Sequence, residues 1–181
     1  MKKILLFALI LLLSACLFGC MNGSGGSQVK DETQQTDKTE EEVDPKVYQN
    51  TQYGFSFSLP ESWKGYTIVI DEWEGMAIGG SKAIETGPLI NIRHPKWTFA
   101  NPRQDIPIMI FTLSQWDSLQ QGKFHIGAAP IGPNELDRNS GYVFALPARY
   151  NYAFLTGWEE VENILNGDPL QPNEDINPDC Q

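Results

Sequence analysis

"YGFSFSLP", residues 53–60, alternates large apolar side chains with small or polar ones without a break. Successive side chains of a strand point to opposite faces. Tyr53, Phe55, Phe57 and Leu59 therefore share one face, and Gly54, Ser56 and Ser58 the other. The first face is apolar and needs a cover. Pro60 lacks the N–H that a central strand must donate, so the strand ends there. A slip of one residue would turn both phenylalanines into water, which pins the register.

Further strands are predicted downstream. "YTIVIDEW" (66–73) forms a second, "GMAIGG" (75–80) a short third and "LINIRH" (89–94) a fourth. "IPIMIFTL" (106–113) is apolar almost throughout, the pattern of a strand covered on both faces. Ser114 with Asp117 reads as a capping box opening a helix; Trp116, Leu119 and Gln120 share its face and Gly122 ends it. "KFHIGAAPI" (123–131) predicts a strand, "GPNELDRNSG" (132–141) a polar turn and "YVFALPARY" (142–150) a strand broken at Pro147. In the last helix Thr156 and Glu159 supply Thr-x-x-Glu, Val161, Ile164 and Leu165 face inward, and Gly167 is the stop. Strands first and helices late argue an α+β fold, an antiparallel or mixed sheet with helices packed on it. Residues 47–167 form one such domain. Residues 168–181, "DPLQPNEDINPDCQ", are expected to be a disordered tail.

The opening strand carries a resemblance. "YGFSFSLPESWKGY" is similar to the start of PsbP-like domains in Gly54, Phe55, Phe57, Pro60 and Trp63. That resemblance implies a PsbP/Mog1-like α/β/α sandwich and no particular activity, because a fold does not fix a function. Residues 50–165 also resemble a group of uncharacterised lipoproteins of Gram-positive bacteria.

Upstream of the domain, Lys2 and Lys3 precede an apolar run from Ile4 to Leu13. A spanning helix needs about 20 apolar residues, so this run has the length of a signal-peptide core instead. "LSAC" (13–16) resembles the lipoprotein box of Leu, a small residue, Gly or Ala, then Cys. "LFGC" (17–20) places the bulky Phe18 where a small residue is preferred, although Cys20 stands directly before a flexible stretch. Cys16 is the expected lipidation site and Cys20 the alternative. Residues 21–46 start Gly/Ser-rich and become acidic, a composition that cannot bury enough apolar surface to order itself. They are expected to form a disordered acidic tether. Together these features predict attachment to the cell membrane through an N-terminal lipid, on the extracytoplasmic face.

A formal net charge of -10 repels phosphate backbones and argues against a nucleic-acid partner. The chain has no Gly-x-Ser-x-Gly elbow, phosphate loop, dinucleotide fingerprint, His-Glu-x-x-His or Cys-x-x-Cys. No cofactor, metal ligand set or catalytic residue is expected from its motifs. Of the two histidines, His94 and His125, each lies at the edge of a predicted strand, where an ordinary hydrogen-bonded role is the simpler account. The carboxylates of "DEWE" (71–74) and "WEEVE" (158–162) fit a strand edge and a helix N-terminus.

One stretch stands apart. "NIRHPKWTFANPRQD" (91–105) gathers Arg93, His94, Lys96 and Arg103 around Trp97 and Phe99 in an otherwise acidic chain. Irregular loops on a rigid scaffold concentrate binding residues, and Arg with aromatics suits interfaces and planar ligands. Arg93, Lys96, Trp97 and Arg103 are therefore the candidate ligand-binding residues, for an unknown protein or an anionic or planar ligand. The competing account tucks Trp97 under the loop and pairs the cations with nearby acids. "ARYNY" (148–152) is a second, weaker candidate. The leading functional expectation is a lipid-anchored, non-catalytic binding or accessory module. Alternatives are a cell-envelope hydrolase with unidentified acidic catalytic residues and a solute-capturing lipoprotein serving a transporter.

Overall fold

The computed structural model describes residues 46–128 and 131–174. The leader, Cys16 and Cys20, nearly all of the tether and residues 175–181 lie outside the described residues. The described part is α+β. Six strands form one antiparallel sheet that curls into a half-barrel, in the order β6 (Phe124–Ile126), β3 (Thr67–Ala77), β4 (Ala83–Arg93), β5 (Ile106–Thr112), β8 (Tyr142–Leu146), β7 (Asn134–Arg138). A second sheet has three strands, β1 (Val47–Asn50), β2 (Phe55–Ser58) and β9 (Leu170–Pro172), with β2 in the middle. The helices are α1 (Leu113–Gln120) and α2 (Trp158–Leu165).

Alternation places the core. Phe55 and Phe57 of β2 are buried, as their register requires, and meet Ile90 and Ile92 of β4, Ile106, Ile108 and Ile110 of β5, and Val161 of α2. The other face of the large sheet packs Trp73, Met109, Phe111 and Val143 against Trp116 of α1 and Phe124 of β6. β5 is thus covered on both sides, and residues 106–111 are all buried. One helix packs on each face of the large sheet. The small sheet shares the α2 face through Phe55, Phe57 and Leu170.

Several predicted elements are redrawn. The expected second and third strands are one, β3, because the pairing with β4 continues across a bulge at Gly75/Met76. β4 correspondingly begins at Ala83 rather than near residue 89. Gly87 is needed inside it: the Trp73 ring lies 2.6 Å from where a Cβ would stand. The helix α1 is capped by Thr112 with Gln115, not by Ser114 with Asp117, since β5 runs straight into the helix. The expected polar turn contains β7, an edge strand whose polar residues conceal its pairing with β8. The stretch expected to open a disordered tail instead supplies β9, with Leu170 4% exposed and paired to Phe57.

Asn139 joins the two sheets. Its buried amide nitrogen donates to the carbonyls of Tyr53 (2.8 Å), Gly54 (2.9 Å) and Asn173 (3.2 Å). Its carbonyl oxygen accepts from the N–H groups of Gly141 and Tyr142. A buried side chain that uses both ends of its amide in this way is costly to replace.

Candidate functional site

Because Ile92 of β4 pairs with Ile106 of β5, Arg93 and Asp105 emerge opposite each other at one end of the large sheet. Arg93 Nη2 donates to Asp105 Oδ2 at 2.7 Å, and its Nε reaches both carboxylate oxygens, Oδ2 at 3.1 Å and Oδ1 at 3.3 Å. This fork is the geometry that makes Arg–carboxylate pairs specific. Both side chains are partly buried. The ion pair holds the Arg93 guanidinium above its ordinary pKa. The other side of that group carries Trp97, whose ring centre is 4.1 Å from Arg93 Cζ. Phe99 then stands edge-on to Trp97 at 5.0 Å and is 96% exposed. A column therefore rises from the sheet: Asp105, Arg93, Trp97, Phe99.

His94 closes the base of the loop. Its Nδ1 accepts the Lys96 N–H at 3.0 Å, and its ring stands edge-on to Trp63 at 4.9 Å. With Nδ1 accepting, any ring proton of the neutral form sits on Nε2. Burial, reinforced by the Arg103 charge, pushes the His94 pKa below 6.5. His94 is thus a core residue and is not presented to a ligand.

Arg103 leads to a second loop. Its Nη2 is 3.3 Å from Glu160 Oε2 of α2, and its backbone pairs with Thr156. The Gln104 N–H donates to the Thr156 carbonyl at 3.0 Å, and the Gln104 side chain donates to the Tyr150 carbonyl at 3.2 Å. Thr156, expected to cap α2, is taken up by this pairing. The N-cap is Gly157, with φ 86° and no side-chain cap. Glycine suits that position because its φ is left-handed; a Cβ there would also stand 2.8 Å from Arg103 Nη2, the movable end of a side chain.

The two loops, 94–105 and 147–157, therefore form one surface. The second carries its own aromatic pair, Phe154 edge-on to Trp158 at 5.2 Å. Phe154 is 66% exposed and Tyr152 74%. Phe154 and Arg149 both adopt positive φ, 48° and 55°. For a bulky residue this is a strained conformation of the kind that persists where surroundings impose it.

Of the four candidate residues, Arg93 and Arg103 are each held by a carboxylate within the fold, and Trp97 is half-buried between Arg93 and Phe99. Lys96 is exposed and has no ion-pair partner among the described residues. Sequence reasoning missed Phe154, Thr156 and Gly157. They reach the site through a pairing that no local pattern announces.

A groove lies along the other flank of α2. It measures about 620 Å³ and is lined by Ser58, Pro60, Ser62, Glu160, Asn163 and Ile164, among others. Ser62 Oγ donates to Glu160 Oε1 at 2.7 Å, so one carboxylate joins groove and loops. His125 Nδ1 lies 2.8 Å from the Gly127 carbonyl on an exposed edge, and Asp71, Glu72 and Glu74 project from β3 into solvent. Among the described residues no group of three or more His, Cys, Asp or Glu side chains gathers into a metal-binding set, and no helix is long and apolar enough to cross a membrane. No family model, no curated protein and no solved structure matches the chain.

Proposed function

We propose that this chain is a lipid-anchored, extracytoplasmic, non-catalytic binding or accessory module whose binding face is the pair of loops 94–105 and 147–157. The observation that carries the proposal is the doubled aromatic arrangement. Each loop turns an outer phenylalanine, Phe99 or Phe154, into water against an inner tryptophan, Trp97 of the first loop or Trp158 at the start of α2. Single exposed apolar residues are ordinary; several gathered on joined loops mark interaction surfaces. Arg93 and Arg103 brace these loops, while Lys96 and the rings are the groups left for a partner. The anchor is Cys16 within its lipobox, and the PsbP/Mog1-like likeness of residues 53–66 is part of the same proposal without adding a ligand.

Hydroxyl-radical footprinting of the whole chain tests the face. Phe99, Tyr152 and Phe154 should be oxidised several-fold less in isolated cell envelopes than after detergent extraction, with Ile78 unchanged. Equal oxidation in both would remove the binding face. For the anchor, Cys16→Ser should abolish incorporation of labelled fatty acid and Cys20→Ser should preserve it.

A specific contact favours one second reading, an envelope hydrolase. Ser62 and Glu160 share a 2.7 Å hydrogen bond on the wall of the groove. A lone carboxylate is a weak base for a serine hydroxyl, whose proton it holds far less tightly. Labelling of Ser62 by a fluorophosphonate, lost in Glu160→Gln, would promote this reading over the first.

A further inference from the structure

We infer that the paired loops dock on the anionic phospholipid surface to which the chain is tethered. The inference rests on the binding face proposed above and names its partner. The molecule as a whole carries a net charge of -10 and is repelled by such a surface. The loops invert that balance. With the Arg93–Asp105 and Arg103–Glu160 pairs set aside, residues 94–105 and 147–157 keep Lys96 and Arg149 and no further carboxylate. The acids nearest Arg93 and Arg103, Asp105 and Glu160, are engaged by those arginines within the fold. Glu159, exposed at the start of α2, and Glu162, exposed and near enough to Tyr150 to help raise its pKa after burial, are opposing charges at the rim. Lys96 and Arg149 remain exposed beside rings that point outward.

Exposed phenylalanine and tyrosine with interspersed cations is the chemistry of the headgroup boundary. Rings enter the apolar edge there, and ammonium or guanidinium groups meet lipid phosphates. Charges farther than a Debye length, about 8–10 Å at physiological ionic strength, are largely screened, so the loops act with their local sign and not with that of the whole chain. Rigidity favours the same partner. The loops are tied to each other through Arg103 and Thr156 and to the sheet through Arg93 and Asp105, so little ordering is required on contact.

The full lipidated chain, reconstituted on vesicles, tests this. Vesicles of phosphatidylcholine alone are compared with vesicles that also contain phosphatidylglycerol, and oxidative footprinting reads each residue. Phe99 and Phe154 should be protected several-fold on the anionic vesicles at low salt, less at high salt, and little on neutral ones. Ile78 serves as the control. It follows β3 at the end remote from Arg93, whose pairing partner Thr67 opens that strand. Lys96→Glu with Arg149→Glu, both at exposed positions, should abolish the protection, and Glu159→Gln should increase it. Unprotected rings on anionic vesicles would overturn the lipid assignment. If the same rings were protected in cell envelopes, the binding face would stand with a protein or glycan as its partner. Equal protection on both vesicle types would also overturn the inference, because the cations would then contribute nothing.

Discussion

The Arg93 guanidinium lies 4.1 Å above the centre of the Trp97 ring while its edge is forked onto Asp105. A side chain held on two sides acts as a strut, so the loop above it should be stiff. A double-mutant cycle of Arg93→Gln with Trp97→Leu, read by urea unfolding, should give a coupling of about 0.5–2 kcal/mol. Additivity within error would show that the stacked contact contributes nothing in solution.

Gly157 should resist substitution. Its φ of 86° disfavours any side chain, and a Cβ would also press on the Arg103 guanidinium. Gly157→Ala is expected to cost about 1–3 kcal/mol in thermal or denaturant unfolding. Placing the same change in an Arg103→Ala background should reduce its cost, since the steric part disappears and the backbone part stays.

The apolar face of β2 should dominate stability. Phe55 and Phe57 are 2% and 0% exposed. Truncation of either to alanine should cost about 3–5 kcal/mol, comparable with the whole stability of a marginal domain. A loss under about 1 kcal/mol in equilibrium unfolding would contradict that degree of packing.

His94 should make the domain acid-sensitive. Burial lowers its pKa in the fold, whereas the unfolded imidazole keeps its ordinary value of about 6.5. The unfolded chain therefore takes up the proton first. Stability should be constant above that value, fall as pH drops through it, and level off once pH is below the folded value. His94→Asn should flatten this part of the urea-midpoint profile; an unchanged profile would assign the titration elsewhere.

What the sequence announced was whatever depends on periodicity. The alternation of Phe55 and Phe57, the doubly covered run 106–111, the inward Val161 and the stop at Gly122 all describe a local surface that must find cover. Where tertiary pairing overrides local pattern, the reading failed. Leu170–Pro172 is too short to alternate, follows Pro169 and ends in a proline, so nothing local marks it as a strand. Asn134–Arg138 is polar because it is an edge strand, and polarity reads as a turn. At the site, the cluster 93–103 was visible as a local departure in charge. Its partners, Thr156, Gly157 and Glu160, come from a distant segment and could be seen only once the loops met.

The last strand has a consequence for how the chain reaches this state. β2 lies between β1 and β9, so one of its edges waits for Leu170, near the far end of the domain. Synthesis and any transport of the chain must have passed Leu170 before that edge can close. Until then Phe57 lacks its neighbour and the strand offers open hydrogen-bonding groups. A polypeptide halted before Leu170 would therefore be both slow to settle and inclined to recruit the missing strand from another copy. Arrival of Leu170–Pro172 is thereby the step that closes the small sheet.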